Sequence, residues 1–429
     1  MSAPNGVGRW RIATLVGTAI AISYLDRQTL PWAIAAIQRD VPISNQIKAT
    51  LDSAFLVAYG LMYLGGGRLA DRQGTRRGFL TVMIFWSLAC ASHGLAGDYG
   101  IGTLGGLPFA VLMLATSRLL LGIGEGGGFP AATRAVAEWF PVAERSTAMG
   151  IVNAGTAVGA VVAPPLIALV LTRVTWLGIA PWRWVFFLTG ALGLLWTLWW
   201  WHDYHPPTTA ASDAPTKEPM LPLATLLRFR ETWAVVGAKF LSDAAWYFYL
   251  FWLPKYLFDT FQLDIKTAGS IGWIPYAASG VGCLCGGALS SWLLRRGASV
   301  NRARKVALGA SAACMPWVVL VPGLHSVAAV IAVFSLAFFG QQSWSTLVMI
   351  LPTDMIPRRA VGTLAGLVGF GGAMGGVLLG QLVGWLRDHG YSYTPALAIA
   401  GSLHVVAFAL LCVAIPRLQP LALPTPQPA

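Results

Sequence analysis

The sequence predicts an all-α membrane protein, with twelve transmembrane helices in two pseudo-symmetric six-helix bundles. Three observations predict it. Of 429 residues, 56% are hydrophobic and only 11% charged, which departs from soluble averages and places the chain in the membrane class. Twelve apolar stretches approach the roughly 20 residues that cross a bilayer. They lie near 12–36, 51–70, 78–97, 104–131, 146–172, 184–201, 233–258, 268–294, 304–322, 327–350, 361–386 and 394–416. The third observation is an internal repeat. Glu138, Pro141, Gly150, Gly155 and Gly159 recur 216 positions later as Asp354, Pro357, Gly366, Gly371 and Gly375.

The repeat divides the chain into a first bundle (1–201), a cytoplasmic linker (202–230) and a second bundle (231–429). The linker is polar and holds Pro206, Pro207, Pro215, Pro219 and Pro222, the composition of a flexible connection. Met1 to Arg11 carries no cleavable signal, because the segment after it is long and contains Asp26-Arg27. That segment is expected to stay as the first helix. The 48 glycines suit helices that pack closely in lipid.

The net charge of +12 has a membrane explanation, not a nucleic-acid one. The N-terminus, the even-to-odd loops and the C-terminus hold 19 Lys and Arg, and the opposite face holds 7. This asymmetry is the positive-inside pattern, so both termini are expected in the cytoplasm and the protein in the inner (plasma) membrane. All five cysteines fall in apolar segments, and Cys283-x-Cys285 has the wrong spacing for a zinc or redox pair. They read as packing residues. His93, His325 and His404 are isolated in sequence, and neither a metal nor a cofactor is expected. No Gly-x-Ser-x-Gly elbow or His-Glu-x-x-His helix is present, so an enzyme is not expected. The short termini leave no room for the soluble output domain of a sensor.

The loop after the second segment reads Gly67-Arg68-Leu69-Ala70-Asp71-Arg72-Gln73-Gly74-Thr75-Arg76-Arg77. It resembles the signature loop of the major facilitator superfamily. Gly67 allows close helix approach, Asp71 accepts from a neighbouring helix end and a basic partner, and Gly74 permits a tight turn. Arg72, Arg76 and Arg77 anchor the loop to the cytoplasmic leaflet. A degenerate copy, Gly287-Ala288-Leu289 with Arg295-Arg296-Gly297, follows the eighth segment, with Ser290 and Ser291 where the acid would stand.

The candidate site begins at Asp26-Arg27, flanked by uncharged runs from Ile12 to Ile22 and from Gln28 to Gln38. Charge at that depth costs a few kcal/mol and is a functional hypothesis by default. On the fourth segment Arg118 and Glu125 are seven residues apart, two turns, so they share a face. Two arginines and two acids would then face the centre. Arg stays protonated and holds a carboxylate bidentately. An acid beside it, pulled one way by burial and the other by the cation, can load and release a proton. Ion pairs that only fasten helices are the structural alternative, but buried pairs are a poor source of stability.

The second half adds Lys239 and Asp243, one turn apart. They form either a pair at the membrane edge or part of the site. Trp246 and Tyr247 follow, as cavity lining or as an interfacial belt. Gln341 and Gln342 are uncharged polar groups at depth, suited to substrate hydroxyls or to helix–helix hydrogen bonds.

Tyr24-Leu25-Asp26-Arg27, the run from Arg118 to Pro130, and Trp182-Arg183-Trp184-Val185-Phe186-Phe187 resemble the anion:cation symporter family within that superfamily. The stretches from Asp243 to Pro254 and from Leu351 to Val361 resemble its hexuronate-transporter branch. The resemblance implies proton coupling at Asp26 and Glu125, anion binding at Arg27 and Arg118, and cavity tyrosines at Tyr24 and Tyr59. One departure is Gly369-Phe370-Gly371-Gly372, where some sugar-acid symporters carry an Asn. The expected function is proton-coupled symport (import) of a small organic anion by alternating access, in a monomer. A hexuronate such as glucuronate or galacturonate is the expected substrate. An organic-anion exchanger, or a symporter of an aldonate, aldarate or aromatic acid, is the alternative. The repeated glycines are expected to allow close, sliding helix contact as the halves move.

Overall fold

A computed structural model describes residues 6–65, 67–141, 144–205, 223–355 and 358–419. The first half contains α1 (Gly6–Asp40), α2 (Asn45–Gly65), α3 (Gly67–Ser92), α4 (Phe109–Gly126), α5 (Gly128–Trp139), α6 (Arg145–Arg173) and α7 (Pro181–Asp203). After a short α8 (Leu223–Leu226) come α9 (Arg230–Phe261), α10 (Ile265–Ile271), α11 (Ile274–Arg295), α12 (Val300–Ala312), α13 (Val327–Met355), α14 (Arg358–Asp388) and α15 (Thr394–Ala414). α4 continues into α5, α10 into α11, and α12 into a 3-10 stretch at Pro316–Gly323. Each such pair makes one span, so the described helices form twelve spans. A two-residue hairpin, Thr103–Leu104 with Leu107–Pro108, occupies the expected start of the fourth segment, which becomes helical only at Phe109.

Ten of the twelve are apolar and long enough to cross a membrane on that ground alone. The other two are α1 and α9, the first helix of each half. They carry Asp26-Arg27 and Lys239-Asp243, and their charges are buried among neighbouring helices, away from lipid.

The repeat has a packing cause. In the first half α6 lies backbone to backbone on α1, and a Cβ at Gly155 or Gly159 would run into the carbonyls of Gly17 or Ala21. In the second half α14 lies on α9 in the same way, and a Cβ at Gly375 would run into the carbonyl of Phe240. These glycines therefore fasten the first span to the fifth within each half. Among them, Gly366 alone meets the opposite half, at the Tyr63 carbonyl. The repeated acids match too. Glu138 accepts from Thr75, Arg134 and Tyr204. Asp354 accepts from Arg304, which also donates to Ser290 in the degenerate loop.

In the signature loop, Gly74 has φ 74° and breaks α3, a conformation that favours glycine. Arg76 donates to the Trp201 carbonyl and lies 4.2 Å over its ring. The side chains of Gly67, Asp71 and Arg72, and the linker from 206 to 222, lie outside the described residues.

The halves meet where α2 runs along α14, α1 crosses α9, and α6 packs on α10 and α11. Among the described residues, every hydrogen bond between them involves Asp388 or Gln381 of α14. The Asp388 carboxylate accepts from the backbone N–H groups of Asn45 and Gln46 at 2.9 and 2.8 Å, and from Asn45 Nδ2 at 2.9 Å. Gln381 donates to Ser53 at 2.8 Å and accepts from Gln46. An acid of one half thus caps a helix of the other, where the positive end of the dipole favours it. Nearby, outside the spans, exposed Asp264 caps α10, and the Thr267 N–H holds its carboxyl below the usual range.

Candidate functional site

Ser23 and Arg27 lie one turn apart on α1 and both reach Glu125 on α4. Arg27 Nε donates to Glu125 Oε2 at 2.6 Å, and Ser23 Oγ to the same oxygen at 2.8 Å. Aromatic rings surround the guanidinium. Its carbon lies 4.2 Å from the Tyr59 centroid, 4.6 Å from Tyr24 and 5.5 Å from Phe55. Phe55, Tyr59 and Tyr63 follow at one-turn spacing on α2, and the Tyr59 and Tyr63 hydroxyls are 3.1 Å apart. Glu125 Oε1 is buried and accepts no hydrogen bond.

Asp26 is fully buried but turns away from this group. A residue next along a helix points about 100° round the axis, and Asp26 faces Cys90 of α3 and Thr189 of α7. Neither of its oxygens makes a hydrogen bond of normal geometry. It stands inside the first bundle, behind Arg27.

Arg118 shares the α4 face with Glu125 but has a different neighbour. Its Nη2 is 3.9 Å from Asp52 Oδ1 on α2, and none of its three nitrogens donates a hydrogen bond among the described residues. Asp52 is held at 2.6 Å by Lys48, itself fully buried beneath the Trp252 ring of the opposite half at 4.3 Å. Lys48 and Asp52 are not among the candidates the sequence offers, since Lys48 stands just before the 51–70 apolar stretch and Asp52 at its edge. Their one-turn spacing was the available signal.

In the second half, Lys239 Nζ lies 2.9 Å from Asp243 Oδ1 and donates to Ser345 Oγ at 2.8 Å. Gln341 reaches Asp243 Oδ1 at 3.5 Å, and its own oxygen meets His404 Nε2. His404, isolated in the sequence, is therefore part of a network. His93 is structural, stacked 4.8 Å from Phe186 and bonded to the Ala89 and Cys90 carbonyls. A Cβ at Gly372 would run into the Asp243 carboxylate. The polar group at that place thus comes from α9.

Tyr247 points to the other half. It stacks on Phe251 at 5.7 Å, and Phe251 meets Phe55 edge-on at 6.4 Å. Trp246, one residue back, packs edge-on against Phe338 at 5.4 Å inside its own bundle. Gln342 is half-buried beside Gln341. The structure so brings Tyr24, Arg27, Tyr59, Glu125 and Tyr247 together, places Arg118 on the same face with Asp52, and sets Asp26 and Trp246 behind. Among the described residues, no three His, Cys, Asp or Glu side chains gather as metal ligands.

Charged side chains buried within and between two helical bundles mark a membrane transport protein. The family model of the Major Facilitator Superfamily matches residues 16–380, and the chain belongs to that superfamily. It is 27% identical to the hexuronate transporter of Escherichia coli K12, over 91% of this chain and 90% of that one. It is 29% identical to a D-galactonate transporter of Escherichia coli O6:H1, over 93% and 94%. A solved bacterial homolog of the human lysosomal transporter Spinster, inward-facing and unoccupied, superposes with a TM-score of 0.72 over 96% of both chains, at 18% identity; the shared feature there is the fold.

Proposed function

We propose that the chain is a secondary transporter that imports a hexuronate, such as glucuronate or galacturonate, together with protons. The observation that carries this reading is Arg27 held by Glu125 among three aromatic rings. The names of the hexuronate and galactonate relatives support a sugar acid as the substrate class.

The proton follows from charge balance. The buried acids of the first half are Asp26, Asp52 and Glu125, and the buried bases are Arg27, Lys48 and Arg118. These balance when the site is empty. A carboxylate that enters adds one negative charge, and an unbalanced charge at this depth is costly. One proton restores the balance. Glu125 is the acid that receives it, because the incoming carboxylate competes for Arg27. Asp26, behind Arg27 and without a hydrogen bond of normal geometry, is the alternative holder of the same proton.

The substrate carboxylate takes Arg27, Tyr24, Tyr59 and Tyr247 meet the ring and its hydroxyls, and Asp243 accepts from hydroxyls on the far side. Opening of the Asp388 end and its re-closure move the site between the two faces of the membrane. The protein acts as a monomer in the inner membrane with both termini in the cytoplasm. A thermal-shift measurement of purified protein with glucuronate or galacturonate tests the site. Stabilisation that disappears in Arg27→Ala is expected, and stabilisation that survives would remove Arg27 as anchor.

A further inference from the structure

Away from the buried charges, a groove of about 250 Å³ runs along the seam where α6 of the first half packs on α10 of the second. Pro165, Ala168, Leu169 and Arg173 line it from α6, and Lys266 and Ser270 line it from α10. Gly269 sets its floor, since a Cβ there would run into the Ala168 side chain and the Pro164 carbonyl. Leu169 is 55% exposed although it lies inside the span Thr147–Arg173, so the groove opens towards lipid.

Its lining changes character along α6. Pro165, Ala168 and Leu169 share a helix face that Thr172 and Arg173 continue. From Pro165 to Arg173 is about 12 Å along the axis. The inner part is apolar, and the outer end carries two cations, Arg173 from one half and Lys266 from the other. No acid lines the groove. Neither cation has a hydrogen-bond, ion-pair or ring partner among the described residues. Asp264, two residues before Lys266, turns instead to cap α10 by accepting from the Thr267 N–H. A lone cation at the end of a span snorkels to the headgroups. Here two cations from different halves converge on one apolar channel.

We infer that this groove binds one anionic phospholipid. Its phosphate lies against Arg173 and Lys266, and an acyl chain lies along Pro165, Ala168 and Leu169. Arg holds phosphate oxygens through its planar fork, and Lys adds a point charge. A zwitterionic headgroup brings its own cation to this place, whereas an anionic one leaves both protein cations to the phosphate. Soluble phosphate would leave the apolar floor unused. The lipid bridges the two halves at the end where Asp388 caps α2. None of this depends on which substrate the chain carries.

Native mass spectrometry of the purified protein tests the site, with phosphatidylglycerol and phosphatidylcholine of the same acyl chains added in equal amounts. The quantity read is the ratio of the two in the first lipid retained. Phosphatidylglycerol is expected to be favoured by about tenfold or more, the effect of two cations near a lipid surface. Arg173→Gln with Lys266→Gln is expected to bring the ratio towards one, and Arg39→Gln, at the same end, to leave it unchanged. Ser270→Trp keeps both cations but fills the groove, and is expected to lower phosphatidylglycerol retention as well. All these positions are exposed, so Tm in detergent is expected to hold. A ratio near one in the unmodified protein, or a high ratio that survives the double variant, would overturn the proposal. An equal fall in Arg39→Gln, or retention untouched by Ser270→Trp, would also overturn it, because either result means general attraction to the surface without a seat.

Discussion

Arg27 and Asp243 occupy equivalent places in the two halves, 216 positions apart, and each meets the residue that the same offset relates. Arg27 meets Glu125, and Asp243 meets Gln341. Ser23 and Lys239 share the offset too, but Ser23 donates to Glu125 and Lys239 pairs with Asp243 on its own helix. The matching contact between the first and fourth spans of each half thus differs in charge. In the first half it joins a base to an acid across two helices. In the second, base and acid share α9 and an amide reaches over from α13. On the proposed reading, the half with separated charges exchanges its partner for a substrate, whereas Lys239 and Asp243 pair on one helix.

Asp388 should govern the closed end. It supplies three hydrogen bonds across the halves, two of them to a helix N-terminus. Loss of such a cap costs about 1 kcal/mol, close to a fivefold shift in population. Asp388→Ala is expected to raise the reactivity of a cysteine placed at Ser53 towards a polar thiol reagent by about that factor. Unchanged reactivity would mean that apolar packing alone closes this end.

The fastening glycines should separate from the permissive ones. Gly375→Ala puts a methyl against the Phe240 carbonyl, whereas Gly380 has nothing within 4 Å. Overpacking of this kind costs roughly 1–3 kcal/mol. A clear drop in Tm in detergent is expected for Gly375→Ala, and little change for Gly380→Ala. Equal effects would contradict the backbone contact between α14 and α9.

Neighbouring aromatics on α9 should behave differently. Tyr247 joins the rings between the halves, and Trp246 packs on Phe338 within one. Tyr247→Phe is expected to raise KM several-fold with Tm nearly intact, since a hydrogen bond is worth about 1 kcal/mol. Trp246→Leu is expected to lower Tm more than it changes KM. The reverse pattern, measured by uptake and thermal unfolding, would exchange their roles.

Much of this was legible because lipid imposes simple rules. Length and apolarity marked all twelve spans, including α1 and α9, whose charges interrupt otherwise apolar runs, and the 216-position repeat marked the halves. Partner choice was less legible. Helix periodicity places Arg118 and Glu125 on one face but cannot say that Glu125 takes Arg27 from α1. It also could not tell which way Asp26 turns, because that depends on Cys90 and Thr189, far away in sequence. Lys48 stands just outside the 51–70 apolar stretch, where a lone Lys usually snorkels. Here Trp252 of α9 in the other half covers it.

On the proposed reading, a balanced buried charge cluster obliges one proton to accompany each carboxylate. The direct measurement is labelled galacturonate uptake into liposomes under a pH gradient alone and under a membrane potential alone. Uptake driven by the pH gradient, little response to the potential, and loss of the gradient response by at least about tenfold in Glu125→Gln are expected. Uptake driven by the potential alone, or a Glu125→Gln protein that still follows the pH gradient, would contradict it.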